Sequence, residues 1–181
     1  AISNAAGGRI FLGNGTTNAS LAGVSLANAG TIEMMNARVG DQLVLSGTYT
    51  GTGGSRLTMD VNMAQNANLA DRVVAAGFNG TTTLSLQNIG AGRIYFSTPI
   101  VLVSGAGAGA TFVAASDAST QAILASNGVV DYALRSLPDG SSWGLVASIN
   151  TDRASSVATQ TQAVTALADF GLATGSEALV A

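Results

Sequence analysis

The sequence predicts an elongated all-β fold built from many short strands. Apolar and polar residues alternate in several runs, and glycine and asparagine repeatedly separate those runs. Glycine occurs 23 times and proline only 2 times, a combination typical of tight turns rather than of flexible linkers. The 181 residues are enough for one domain with a sizeable core.

The strongest strand signal covers residues 56–63. Apolar side chains occupy every second position of this run, at Leu57, Met59, Val61 and Met63, with polar residues between them. Because neighbouring side chains of a strand point to opposite faces, this pattern predicts a strand with one buried and one outward face.

Similar alternation predicts further strands over residues 42–50 and 82–89. In the first, Leu43, Leu45 and Tyr49 face inward, and the second repeats the pattern with leucines. Weaker runs complete the series at residues 9–12, 21–26, 31–35, 72–75, 99–103, 129–137 and 142–148.

Turn signals separate these runs. They are residues that tolerate a positive φ or bond their own backbone, and they lie at 13–15, 28–30, 51–54, 79–80, 90–92 and 127–128. Residues 104–110 form a low-complexity Ser/Gly/Ala loop without chemically active side chains.

Two architectures are compatible with such a series: an antiparallel sandwich or barrel, and a solenoid of stacked coils. Small aliphatic residues dominate the first third of the chain, and aromatic residues make up only 5% of the sequence. These features favour the solenoid, whose core is filled by aliphatic residues stacked coil on coil, with Asn, Ser and Thr ladders at its turns.

The last thirty residues break the β pattern. Asp152 is a candidate N-cap for a helix over residues 153–170, which Gly171 would end. The apolar stripe of this helix is narrow, so it suits a polar enclosure or frays in solution. Residues 119–125 are a second candidate for a helix.

The composition excludes several classes of function. Charged residues make up only 9% of the chain and apolar residues 47%, which argues against disorder. Cysteine, histidine and lysine are absent, so a nucleophile activated by histidine or lysine, a disulfide and a thiolate metal site cannot form. The seven arginines are scattered, so no nucleic acid partner is expected, and no cofactor or metal is indicated.

One catalytic alternative remains open, a carboxylate pair of the kind used on polysaccharides. Asp131, Asp139 and Asp152 are its candidates. Each also has a structural interpretation, as a residue before a strand, a turn residue and a helix cap. We therefore expect that the protein is not an enzyme.

Other conspicuous residues also have structural interpretations. The glycines at 51–54 lack the Gly-Lys-Ser/Thr ending of a phosphate loop and predict a turn. Asp71 and Arg72 predict an ion pair that orients the start of a strand. Tyr49, Tyr132 and Trp143 are expected to plug the core at the end of the stack, with each polar atom bonded to backbone.

The ordered set of these segments resembles the C-terminal passenger region of pertactin-like bacterial autotransporters. The segments are GDQLVLSGTYTG at 40–51, GGSRLTMD at 53–60, ADRVVA at 70–75, GTTTLSL at 80–86, IVLV at 100–103, YAL at 132–134 and WGL at 143–145. No single motif is very specific, but their order is.

The resemblance implies a right-handed single-stranded parallel β-helix with a C-terminal sandwich-like cap, followed by a short α-helical linker. Residues 1–39 would be the last regular coils, residues 40–150 the autochaperone cap, and residues 151–181 the linker towards a β-barrel. It gives structural roles in folding to Gly47, Tyr49, Gly51, Gly54, Asp71, Arg72, Tyr132 and Trp143.

The resemblance also implies a function, that of a region which folds first during outer-membrane secretion and templates the coils before it. Its partners would be its own upstream β-helix and its own C-terminal barrel, with the barrel-assembly machinery and host surface ligands as further partners. The expected location is the bacterial cell surface, on the extracellular side. The alternative is an adhesin segment that binds host or matrix ligands. The start without methionine suggests a fragment of a longer protein.

Overall fold

The computed structural model describes residues 1–12, 18–64, 69–105 and 109–161. Strands account for 51% of the structure, and stacked parallel coils form a β-solenoid of about four turns. The prediction of an all-β parallel solenoid is confirmed, and the sandwich or barrel alternative is wrong.

Twelve strands and one short helix have defined bounds among the described residues. They are β1 (Ile2–Asn4), β2 (Arg9–Phe11), β3 (Asn18–Leu21), β4 (Leu26–Asn28), β5 (Thr31–Glu33), β6 (Gln42–Gly51), β7 (Arg56–Val61), β8 (Arg72–Asn88), β9 (Ile100–Ser104), β10 (Ala110–Ala114), α1 (Ala118–Leu124), β11 (Val130–Ser136) and β12 (Ser142–Ile149). A further helical segment covers residues 151–161.

The coils stack on three faces. The first face contains β1, β4, the second half of β6 and the middle of β8. Strand β10 pairs with residues 80–84 of β8, at the corner between the first and second faces. The second contains β2, β5, β7 and the end of β8. The third begins with β3, the first half of β6, the start of β8 and β9. All of these pairs are parallel. Three of them join strands that precede residue 39, namely β3, β4 and β5, to strands that follow residue 40.

Strand β8 is longer than the sequence predicts because it passes through all three faces. The Asn-Gly signal at 79–80 predicts a turn, which is wrong. Gly80 has φ +73, so the chain changes direction there while its pairing continues. A glycine tolerates this conformation, which costs other residues roughly 1–2 kcal/mol. The corner therefore lies inside a continuous strand.

The core is an aliphatic stack inside the coils, as predicted. The inward residues of the three clearest runs are all buried: Leu43, Leu45, Tyr49, Leu57, Met59, Val61, Met63, Leu84 and Leu86. The prediction of one outward face for residues 56–63 is wrong, since Thr58, Asp60 and Asn62 are also buried. The chain around residue 36 covers Asp60 by donating a backbone N–H to its carboxylate.

Two weaker predictions differ from the structure at their boundaries. The run at 21–26 is not one strand, because residues 22–25 connect β3 to β4. The candidate helix at 119–125 is confirmed as α1, with Asp117 as its N-cap.

The C-terminal end of the stack is closed by elements that are not coils. On the third face, β12 pairs antiparallel with β9, and β11 pairs antiparallel with β12. On the second face, α1 packs against the outer edge of β8. These elements, residues 115–149, are called the cap below.

The helical segment 151–161 leaves the cap with almost all of its side chains exposed. The predicted N-cap Asp152 is wrong: Asn150 is the cap, because its Oδ1 accepts the backbone N–H of Arg153 at 3.0 Å. The remainder of the predicted helix and Gly171 lie outside the described residues, as do the turn at 13–15 and the centre of the loop at 104–110. Within the described chain, no helix is long and apolar enough to cross a membrane.

Candidate functional site

Three buried aspartates form a cluster where residues 36–41, the end of β7 and the start of β8 meet. Asp41, Asp60 and Asp71 are each fully buried. The Asp71 carboxylate accepts three backbone N–H groups, from Gly40 at 3.1 Å, Asp41 at 3.0 Å and Asp60 at 2.7 Å. Asp71 therefore ties two successive coils together through their backbones.

Burial and like charge both raise the pKa values of Asp71 and Asp60. Burial raises the pKa of Asp71 to about 7, and the charges of Asp41 and Asp60 add to the rise, against the backbone N–H groups that lower it. Burial likewise raises the pKa of Asp60, against hydrogen bonds from residues 36–38. One Asp60 oxygen, Oδ1, is buried without a hydrogen-bond partner.

The sequence prediction of an Asp71–Arg72 ion pair is wrong. The hydrogen bonds of Asp71 come from backbone N–H groups, and Arg72 instead lies on a groove of about 370 Å³ beside Asp41 and Pro99. Its Nε is buried without a partner. No nucleophile with an adjacent base occurs among the described lining residues.

Among the described residues, no group of three or more acidic, His or Cys side chains is arranged to hold a metal ion. At the aspartate cluster this agrees with the use of both Asp71 oxygens by backbone donors.

A chain of buried polar side chains, called the polar ladder below, crosses the coils at the end of the first face. Asn4 Nδ2 donates to Asn28 Oδ1 at 2.8 Å, and Asn28 Nδ2 donates to the Tyr49 hydroxyl at 2.9 Å and Ser55 Oγ at 3.0 Å. Thr82 joins through Ser55 at 3.1 Å. Each coil thus gives at least one buried polar side chain to the ladder, and the coil of β6 and β7 gives two, Tyr49 and Ser55.

The prediction that Tyr49 plugs the end of the stack is therefore wrong. It lies in the middle, and its hydroxyl contacts side chains rather than backbone. The hydroxyl of Tyr49 belongs to the polar ladder, whereas its ring packs against Phe78, and the sequence pattern indicates neither contact.

An aromatic ladder joins the middle of the stack to the cap. Ring centroids lie 5.3 Å apart between Tyr49 and Phe78, 5.6 Å between Phe78 and Phe112, and 5.6 Å between Phe112 and Trp143. The last two contacts are edge-to-face, a favourable geometry worth about 0.5–1.5 kcal/mol beyond burial. Trp143 itself is half-buried.

Helix α1 satisfies the free edge of β8. The Leu86 backbone N–H donates to Thr120 Oγ1 at 2.8 Å, and Ser85 Oγ donates to Asp117 at 2.7 Å. Burial alone would raise the pKa of Asp117, but hydrogen bonds from Ser85 and Thr120 hold it below its usual range. The charged Asp117 thus serves both as helix cap and as edge acceptor.

Tyr132 meets the expectation for a plug at the end of the stack. It is buried, and its hydroxyl donates to the Ile94 carbonyl at 3.3 Å. The Arg93 guanidinium lies over its ring, 5.2 Å from the centroid, and also donates to the Ile123 carbonyl at 3.1 Å. Arg93 therefore connects the cap hairpin with α1.

The three glycines to which the resemblance gives structural roles, Gly47, Gly51 and Gly54, lie where neighbouring coils approach closely. A Cβ on Gly47 would lie 2.5 Å from the Val24 carbonyl oxygen, and one on Gly51 would lie 2.7 Å from that of Thr81. Gly54 has φ +89, which favours glycine. Their roles are steric.

Two of the three candidate catalytic aspartates, Asp131 and Asp139, do not meet. Asp131 lies in β11 and binds Ser126, Asn150 and Arg153, whereas Asp139 caps the turn beyond the other end of that strand. The length of β11 from Asp131 onward is about 17 Å at ~3.3 Å per residue. Carboxylate pairs of glycosidases lie at most about 9.5 Å apart.

The sequence patterns did not indicate the roles of Phe78, Phe112, Asp60 and Thr120. Asn28 belongs to the ladder of Asn, Ser and Thr side chains that was predicted at the turns, and it binds Asn4, which lies 24 residues earlier. No protein-family model matches the chain, and no curated protein matches it.

Proposed function

We propose that this chain is a non-catalytic structural module of an autotransporter passenger, which caps a β-solenoid and nucleates its folding during outer-membrane secretion. The supporting observation is the asymmetry of the stack. One end carries a cap of α1 and the β11–β12 hairpin, and at the other end β1, β2 and β3 each pair with one described neighbour.

The cap has the properties of a folding nucleus. Parallel coils pair residues far apart in the chain, so their first contacts carry a large loop-closure cost. The β11–β12 hairpin is local, and its turn is fixed by Asp139, which accepts the backbone N–H groups of Ser141 and Ser142 at 2.9 Å. A preformed hairpin then offers β12 as a template for β9.

The helical segment 151–161 supports the linker part of the proposal. Its described side chains are mainly Ser, Thr, Ala and Gln, and Val157 is 52% exposed. Such a helix makes few contacts with the solenoid, so it suits a polar surrounding such as the inside of a barrel. The location proposed for the module is the extracellular side of the bacterial outer membrane.

Replacing Trp143 by serine tests the proposal. The change removes the last ring of the aromatic ladder, so we expect a loss of unfolding free energy on the order of 2 kcal/mol, below the 3–5 kcal/mol of a fully buried large aromatic. In a full passenger, surface display and protease resistance should fall with it. Urea unfolding and protease digestion of displayed passenger measure the two effects.

Two variants serve as controls. Trp143→Phe keeps an aromatic edge against Phe112 and should restore most of the display. Tyr95→Ser removes an aromatic residue that is 48% exposed and should change neither readout. Unchanged display with Trp143→Ser, despite lowered stability, would contradict the folding role.

A further inference from the structure

The outermost coil at the uncapped end consists of β1, β2 and β3. Its inward residues Ile10, Ala19 and Leu21 are only partly buried. The residues paired with them in the next coil, Ile32, Leu43 and Leu45, are 0%, 3% and 2% exposed. The difference arises because the second coil is covered on both sides and the first coil on only one.

The polar ladder is also open at this coil. Gly30 donates its backbone N–H to Asn28 Oδ1 at 3.2 Å, which fixes the orientation of the Asn28 amide. Asn4 must therefore present its Nδ2 to Asn28 Oδ1, and it also donates to the Thr31 carbonyl at 3.2 Å. No hydrogen bond to Asn4 Oδ1 comes from the described residues, although Asn4 is only 7% exposed.

We propose that the face formed by β1, β2 and β3 binds a further parallel β-coil whose side chain stacked on Asn4 is a carboxamide that donates to Asn4 Oδ1. The proposal deepens the proposed function, on which it rests, by defining the chemistry of the coil that the module templates. That coil also carries aliphatic residues over Ile10, Ala19 and Leu21, as the stacking inside the protein does. In the polar ladder each side-chain amide donates to the following coil, so the free acceptor on Asn4 sets the end at which the next coil is added.

The choice of a coil follows from continuity with an established interface. Every described pair of solenoid strands joins successive coils in parallel, and Asn4 and Asn28 stack at a distance of 24 residues. A carboxamide is favoured because it can donate to Asn4 and accept from its own turn, as Asn28 Oδ1 does from Gly30. If the side chain stacked on Asn4 had no donor, the added coil would bury Asn4 Oδ1 without a hydrogen-bond partner.

The test extends the full chain by one coil of its own sequence. Residues 26–48 are placed directly before Ile2, so that Ile2 takes the place of Tyr49 and pairs with the copied Leu26 as Tyr49 pairs with Leu26 in the protein. The copied Asn28 then lies over Asn4. We expect hydrogen exchange of the β1 backbone amides to slow by at least about tenfold relative to the unextended chain, because they gain a second covering coil.

Two extended variants separate the ladder from general stacking. Leucine at the copied Asn28 should lose about tenfold of that protection, the factor of one buried unsatisfied hydrogen-bonding group. Leucine at the copied Ala27, an exposed position beside it, should keep the protection. Equal protection with either leucine would overturn the carboxamide requirement.

Two further outcomes would overturn the docking site itself. One is unchanged exchange of β1 in an extended chain whose Trp143 emission shows a native cap. The other is a dimer of the unextended chain in sedimentation with its β1 amides already protected, which would make a second copy the occupant. Either result leaves the Trp143 display experiment unaffected, so failure of this inference and of the proposed function can be told apart.

Discussion

At the scale of single residues, buried polar groups set the register of the coils. Asp71 and Asn28 each bind backbone or side chains from neighbouring coils, so shifting one coil would leave several polar groups unpaired at once. An unpaired buried group costs about 1–3 kcal/mol. The aliphatic core alone is tolerant of such shifts, because its residues resemble one another from coil to coil.

The Asp71 carboxylate predicts how stability depends on pH. Its pKa is about 7 in the folded protein, against the ordinary aspartate value of 3.8, which represents the unfolded chain. The folded state therefore holds the proton more tightly, so this contribution is fully present below pH ~4 and is lost as the pH rises to ~7. We expect the free energy of unfolding to fall by a few kcal/mol across this window, measured by urea unfolding.

The Asp71→Asn variant isolates this titration. Its amide faces backbone donors and lowers stability at every pH, but the slope between pH ~5 and ~7 should flatten. Asp139→Asn is the matched control, because turn N–H groups lower the pKa of the exposed Asp139 and move its titration to acid pH. A slope that survives in Asp71→Asn would assign the titration to another group, with Asp60 first in line.

At the scale of elements, the close approach of strands β6 and β8 depends on paired glycines. A Cβ on Gly80 would clash with the Gly51 carbonyl oxygen, and one on Gly51 would contact both Thr81 and Thr82. The two strands meet here at a corner of the solenoid, where side chains have no room.

Alanine at Gly51 tests this packing. Overpacking a tight site costs typically about 1–3 kcal/mol, and we expect that loss in the free energy of unfolding. Gly53→Ala is the control two residues away, since a Cβ added there would have no neighbouring atom within 4 Å. Equal stability of the two variants in urea unfolding would contradict the steric role of Gly51.

At the scale of the whole molecule, the solenoid has a direction. The cap joins the stack through local hairpin contacts, the aromatic ladder and Thr120, whereas the first coil is held from one side. Stability should therefore decrease from β12 towards β1, as nearest-neighbour coupling in a repeat protein predicts.

This direction predicts the order of folding. In pulse-labelled refolding, backbone amides of β11 and β12 should be protected before those of β1 and β4. Trp143→Ser should slow the protection of backbone amides in every coil. Gly51→Ala should mainly slow protection in β6 and in the coils that stack after it, those of β4 and β1. Protection of β1 and β4 ahead of the hairpin would contradict a nucleus in the cap.

The sequence by itself determined the fold class, the aliphatic core and most strands. Period-two alternation reports directly which side chains are inward, and Leu57, Met59 and Leu84 follow it because one face of each strand meets the core. The sequence pattern at residues 119–125 was likewise enough to predict helix α1. The absence of histidine, lysine and cysteine was also readable without a structure.

Only the tertiary structure decided which polar residues are buried and what they bind. Asp60, Asn62 and Ser85 alternate like solvent-facing residues, yet neighbouring coils and α1 cover them. Likewise, Asn79-Gly80 marks a corner within a strand rather than its end, because pairing on both sides keeps β8 continuous. Local patterns cannot report such coverage, since the groups that provide it lie one coil away in the chain.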